Sequence, residues 1–249
     1  ASGGILSGIK EPFNDLNSYF EAVAKLNPAI NNMMLVGHNT LRTIAMGHES
    51  RQPNQQEMSQ MKDHVRRTLE QGACGFSTGL IYTPGKYSQT EEIIELATTA
   101  GDCDALYTTH MRNEGDRLLD AIDESLRIGK EGNVHLHISH HKSAGKANWG
   151  KINLSLEKID AALKADQRVT LDVYPYTAGS GRMIEYFNLK RINRDLAEVI
   201  RIASCPAFRD YEGKTALDIA KQEQIDVVDV IHKILTAPQE RKHFAFNLL

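Results

Sequence analysis

The chain has 249 residues, and its composition, 41% hydrophobic and 24% charged, is ordinary for a globular protein. A formal net charge of −3 gives no reason to expect nucleic acid or an anionic membrane as a partner. The three cysteines do not form a disulfide framework, and no stretch approaches the 18 consecutive apolar residues of a membrane span. These features predict a soluble, cytoplasmic protein.

Short apolar runs alternate with amphipathic helical patterns over most of the chain. The predicted strands, in chain order, are residues 33–37, 74–79, 106–109, 134–139 and 169–173. The predicted helices are residues 55–71, a helix that opens at Ser88 or Thr90, residues 116–131 and residues 152–165. The repeat of roughly 30–40 residues is the size of a βα unit, so the alternation predicts a parallel sheet.

Five predicted strands are too few to close an eight-stranded barrel, so an open, doubly wound sheet remains an alternative. No glycine-rich phosphate fingerprint follows any strand, which argues against a dinucleotide-binding fold. The alternation of strand-like and helix-like segments ends after residue 181. We therefore predict a partial β/α barrel over 1–181, an inserted helical subdomain over 182–240, and a return to the barrel over 241–249.

Two histidines, His110 and His140, stand where neighbouring predicted strands end. Side chains at the ends of successive parallel strands converge on the mouth of a barrel, and neutral imidazole is the commonest metal ligand. The pair therefore predicts a metal-dependent hydrolase, although a single strand-end histidine is as readily structural. Strand alternation cannot choose between His140 and His141, and a catalytic zinc needs about three protein ligands.

Three further residues are candidates for substrate binding. Lys142 follows the histidine pair and would hold a substrate carboxylate, or it is a solvated loop lysine. Tyr174 and Ser180 lie beyond the fifth predicted strand, where they would donate hydrogen bonds to a substrate or oxyanion, or belong to a rigid proline turn. His38 and Cys74 are interpreted as structural.

Several ordered motifs together resemble the N-acyl-D-amino-acid deacylases (D-aminoacylases) of the amidohydrolase superfamily. The matching segments are residues 35–42 (LVGHNTLR), 72–82 (GACGFSTGLIY), 107–115 (YTTHMRNEG), 138–145 (ISHHKSAG), 172–180 (DVYPYTAGS) and 202–206 (IASCP). The resemblance covers nearly the whole chain, which makes it far more specific than any one motif.

The resemblance implies a metal-dependent, TIM-like (β/α)8 barrel in which the five strands are the third to the seventh. It implies that His110 and His140 bind zinc, that Lys142, Tyr174 and Ser180 bind the substrate carboxylate, and that the insert is a lid. The implied reaction is zinc-dependent hydrolysis of the amide bond of an N-acyl-D-amino acid, a small molecule, to a carboxylate and a D-amino acid.

Three family features have no match in this sequence: the His-x-His of the first strand, the metal-bridging cysteine of the second, and the catalytic aspartate of the eighth. We therefore expect the chain to represent the central part of such an enzyme, with its catalytic residue unassigned. The alternatives are ring-opening chemistry like that of dihydroorotases and hydantoinases, or an inactive barrel fragment without the full metal site. The sequence does not predict an oligomeric state.

Overall fold

The structure, a computed structural model, describes residues 15–238 and 244–248. It divides into two compact units. The first holds the described residues up to Lys142 together with Gly150–Val173, and the second holds Ser143–Trp149 and the described residues from Tyr174 onwards. No helix among the described residues is long and apolar enough to cross a membrane.

The first unit is built on a parallel sheet of five strands. They are β1 (Leu35–Gly37), β2 (Gly75–Gly79), β3 (Leu106–His110), β4 (His135–Ile138) and β5 (Val169–Leu171). Neighbours in the sheet follow chain order, and all four pairings are parallel. A doubly wound sheet reverses its strand order at a switch point, so the sequential order excludes that alternative. The five predicted strands are confirmed in their predicted order.

Helices precede and connect these strands. They are α1 (Leu16–Lys25), α2 (His38–Met46), α3 (Gln55–Glu70), α4 (Thr90–Gly101), α5 (Leu118–Glu131) and α6 (Lys151–Lys164). A capping box fixes the start of α3, where Asn54 and Glu57 each accept a hydrogen bond from the other's backbone N–H. The four helices expected from apolar periodicity are confirmed, whereas α1 and α2 were not predicted.

The two faces of the parallel sheet differ in polarity. A buried row crosses all five strands in register on the face that packs against the helices: Val36, Phe76, Tyr107, Leu136 and Val169. The adjacent register row is polar and points to the opposite face: Ser77, Thr108, His137 and Thr170. His110 lies two residues after Thr108 in β3, so the side chain of this predicted metal ligand points to the same, polar face.

A buried charged cluster links α2 to the start of α4. Glu92 accepts a hydrogen bond from Arg42 at 2.5 Å, and its other carboxylate oxygen lies 2.8 Å from His38 Nε2. All three side chains are almost completely excluded from solvent. Burial, the largest effect, lowers the pKa of His38 despite the neighbouring carboxylate. A buried contact of this kind agrees with the interpretation of His38 as a structural residue.

The second unit contains a separate antiparallel sheet and a set of short helices. The strands β6 (Ala178–Arg182), β7 (Arg201–Ser204) and β8 (Phe244–Leu248) pair in the order β6-β8-β7. The helices are α7 (Met183–Tyr186), α8 (Arg194–Val199), α9 (Ala216–Glu223) and α10 (Val227–Thr236). The predicted boundary at residues 240–241 lies outside the described residues, and the division into barrel, lid and return segment stays a prediction.

Candidate metal site

The structure brings His110 and His140 together. Nδ1 of His110 lies 2.9 Å from Nε2 of His140, and the ring centroids are 4.5 Å apart in an edge-on arrangement. His141 instead turns into the protein, where its Nε2 lies 2.9 Å from Ser155 Oγ. Of the two histidines that strand alternation could not separate, His140 is therefore the one beside His110.

The backbone of His140 explains why alternation fails here. Its φ of 41° is left-handed, a conformation that residues other than glycine adopt infrequently. The His140 N–H donates to Asp172 Oδ1 at 2.6 Å, and the second carboxylate oxygen of Asp172 lies 2.7 Å from His137 Nε2. Burial raises the pKa of Asp172, but the hydrogen bonds from His137 and from the His140 backbone outweigh it, so the pKa is lowered. Asp172 thus fixes the turn that directs His140 towards His110.

His110 is held in a largely enclosed position at the end of β3. The ring of Tyr82 packs against it with centroids 4.9 Å apart. Its Nε2 is buried and has no hydrogen-bond partner among the described residues. Burial is the main reason that the pKa of His110 falls to about 4. The imidazole is therefore neutral at pH 7, as a metal ligand must be.

Glu114 is a site residue that sequence reasoning did not single out. Its Oε1 accepts a hydrogen bond from Lys142 Nζ at 2.6 Å and lies 2.9 Å from His140 Nδ1. Burial raises the pKa of Glu114, but contacts with His140, His110 and Lys142 lower it overall. Burial, the largest effect, lowers the pKa of Lys142. The available signal was an acid that follows the strand-end histidine closely, in the motif of residues 107–115.

Tyr174 and Ser180 belong to the second unit. Ser180 lies in β6 and pairs with Phe246 of β8, and the ring of Tyr174 lies 6.4 Å from that of Tyr176. Their role in binding a substrate carboxylate stays a prediction.

The residues present fit a zinc ion. Two zinc–nitrogen bonds at a tetrahedral angle place the nitrogens about 3.3 Å apart. The separation of 2.9 Å between His110 Nδ1 and His140 Nε2 differs from this by only a few tenths of an ångström. Glu114 belongs to the same cluster, in which one atom of each of the three residues lies within 4.8 Å of the others. Imidazole nitrogen is a ligand that zinc accepts, so His110 and His140 supply two of its ligands.

Comparison with known proteins gives a consistent result, although no protein-family model matches the chain. The chain is 37% identical over 232 residues to the N-acyl-D-glutamate deacylase of Alcaligenes xylosoxydans xylosoxydans, covering 93% of this chain and 46% of the relative. The crystal structure of the N-acyl-D-glutamate deacylase from Bordetella bronchiseptica, complexed with zinc and a phosphonate mimic of the tetrahedral intermediate, superposes with a TM-score of 0.84. That superposition covers 98% of this chain and 49% of the other, at 33% identity.

The chain belongs to the D-aminoacylase family. It spans about half the length of the curated relatives it matches. A D-aminoacylase crystal structure, described as defining a novel subset of amidohydrolases, superposes with a TM-score of 0.81 at 34% identity, covering 95% of this chain and 47% of that one. The family resemblance and the amidohydrolase fold predicted from the motifs are confirmed.

Proposed function

We propose that the full-length protein is a zinc-dependent N-acyl-D-amino-acid deacylase, which hydrolyses the amide bond to give a carboxylate and a D-amino acid. The observation that carries the proposal is the 2.9 Å approach of His110 Nδ1 and His140 Nε2 at the ends of neighbouring parallel strands. Relatives named as deacylases align over most of this chain, and the related Bordetella bronchiseptica structure contains zinc.

In this proposal His110 and His140 hold zinc through the two ring nitrogens that face each other. A bound zinc ion would polarise the acyl carbonyl of the substrate and lower the pKa of its bound water to roughly 7. Lys142 offers a cation for the substrate carboxylate, with hydrogen bonds expected from Tyr174 and Ser180. Anchoring the carboxylate while the carbonyl is also fixed distinguishes a D from an L substrate. The proton donor to the leaving amine remains unassigned in this chain.

The substrate is a small molecule, and neither a nucleic acid nor a membrane is part of the proposal. All three cysteines, Cys74, Cys103 and Cys205, are free. Free thiols are typical of a reducing compartment, which supports a cytoplasmic location.

The test is a substrate panel with the full-length zinc-loaded protein: N-acetyl derivatives of D- and L-amino acids, a hydantoin and dihydroorotate. We expect turnover of the D-compounds, loss of activity with a chelator, and loss of both zinc and activity in His110→Ala. The exposed His48 provides a matched control, and His48→Ala should keep both. Faster turnover of hydantoin or dihydroorotate would favour the ring-opening alternative. Activity and zinc retained in His110→Ala would contradict the proposed site.

A further inference from the structure

The imidazole of His140 has a different environment at each of its two nitrogens. Nε2 faces His110 Nδ1 at 2.9 Å. Nδ1 lies 2.9 Å from Glu114 Oε1 and 2.8 Å from Lys142 Nζ. Lys142 and Glu114 are themselves 2.6 Å apart, and both side chains are largely buried. The side of the ring that faces away from His110 is therefore occupied by an ammonium and a carboxylate.

Only one of these two partners is compatible with zinc binding at Nε2. A neutral imidazole carries a single N–H, on one nitrogen or the other. If Nδ1 accepts a hydrogen bond from the Lys142 ammonium, the proton lies on Nε2, which then cannot bind a metal. If Nδ1 carries the proton, Nε2 is free, and the Nδ1–H needs an acceptor. Glu114 Oε1 is an acceptor at hydrogen-bonding distance, and a lysine ammonium is not an acceptor.

We propose that Glu114 is a positioning residue that keeps the proton of His140 on Nδ1, so that Nε2 is available to zinc. This inference rests on the proposed function and deepens it. Carboxylate–histidine–zinc arrangements of this kind orient the ring and raise the basicity of the ligand. Glu114 also accepts a hydrogen bond from Lys142, so the ammonium has an acceptor other than His140 Nδ1.

The same geometry argues against Glu114 as a zinc ligand. The lone-pair directions of the two imidazole nitrogens diverge, so a metal at Nε2 lies on the opposite side of the ring from an acid bonded to Nδ1. A metal bound on the Glu114 side would also approach the Lys142 ammonium, which lies 2.8 Å from Nδ1. Repulsion between the two cations disfavours that position.

The test measures zinc affinity of the full-length protein by competition with a chelator. We expect Glu114→Ala to weaken zinc binding by about 10–100-fold, the usual effect of removing such a partner. Glu114→Gln should lose less, because its amide oxygen can still accept from Nδ1–H. The control, Glu131→Gln, changes an acid that pairs with Arg127 on the exposed side of α5, and it should bind zinc as the wild type does.

A second readout separates positioning from ligation or a general loss of structure. Nitrogen-15 NMR of the zinc-loaded wild type should show the His140 proton on Nδ1, and Glu114→Gln should keep the wild-type visible spectrum after cobalt substitution. Unchanged zinc affinity in Glu114→Ala would overturn the inference and leave the proposed function standing. Equal losses in the Ala and Gln variants with an altered cobalt spectrum would make Glu114 a ligand and also overturn it. A wild-type protein that binds no zinc would overturn both.

Discussion

Glu91 and Glu92 are neighbours in the first turn of α4, and each pairs with an arginine in a contrasting environment. Glu92 Oε2 lies 2.5 Å from Arg42 Nη1, with side chains 2% and 0% exposed. Glu91 Oε1 lies 3.0 Å from Arg127 Nη1, with side chains 64% and 46% exposed. We predict that Glu92→Gln lowers the free energy of unfolding far more than Glu91→Gln does.

The magnitude follows from solvation. Removing one partner of a buried ion pair leaves the other charge uncompensated, at a cost of about 3–5 kcal/mol. An exposed pair is screened by water and contributes about 0.2–1 kcal/mol. Both carboxylates lie at the N-terminus of α4, so the lost interaction with the helix dipole is similar in the two variants and largely cancels. We therefore expect a difference of about 2–4 kcal/mol between the two substitutions.

Urea unfolding followed by far-ultraviolet circular dichroism measures this difference directly, because the two variants make the same chemical change at adjacent positions. The refuting result is a loss of less than about 1 kcal/mol in Glu92→Gln, the range of an exposed pair. It would mean that the buried Arg42 charge, once it has lost Glu92 as its partner, does not carry the expected free-energy cost.

Three other features give further predictions. A Cβ on Gly75 would lie 2.2 Å from the Leu106 carbonyl oxygen, so Gly75→Ala should push β2 from β3 and cost about 1–3 kcal/mol in urea unfolding. Asp172→Ala removes the acceptor of the His140 N–H, so zinc titration should show weaker binding while circular dichroism stays unchanged. Burial lowers the pKa of His38 from 6.5, so the unfolded chain takes up the proton first as the pH falls. Stability should therefore drop below pH 6.5, and less steeply in His38→Gln, in urea titrations at pH 7.5 to 5.

The elements that sequence patterns predicted are those where periodicity and burial agree. The register row from Val36 to Val169 is apolar at every strand, so each strand is visible as a short apolar run. Helix α2 was missed because it begins at His38, directly after β1, with no loop to mark its start. Its first residue, His38, is polar, and its N-cap is Gly37, which has no side chain that could cap the helix.

Part of the site was predictable, and part depended on local backbone geometry. His110 ends a strand, so its position follows from the strand pattern. The position of His140 depends on a left-handed backbone held by Asp172, a residue 32 positions later in the sequence. Glu114 reaches His140 from a loop that no periodicity describes. Contacts of this kind depend on tertiary structure, and only the family motifs pointed to His140 before the structure did.

The central claim is that zinc binds between His110 Nδ1 and His140 Nε2, and native mass spectrometry of the full-length protein tests it most directly. The informative variant is His140→Gly, because glycine readily adopts the φ of 41° found there and the side chain is removed with little backbone strain. We predict that the wild type carries zinc and that His140→Gly carries at least one zinc ion fewer, with an unchanged circular dichroism spectrum. An equal zinc content in the two proteins would contradict the claim.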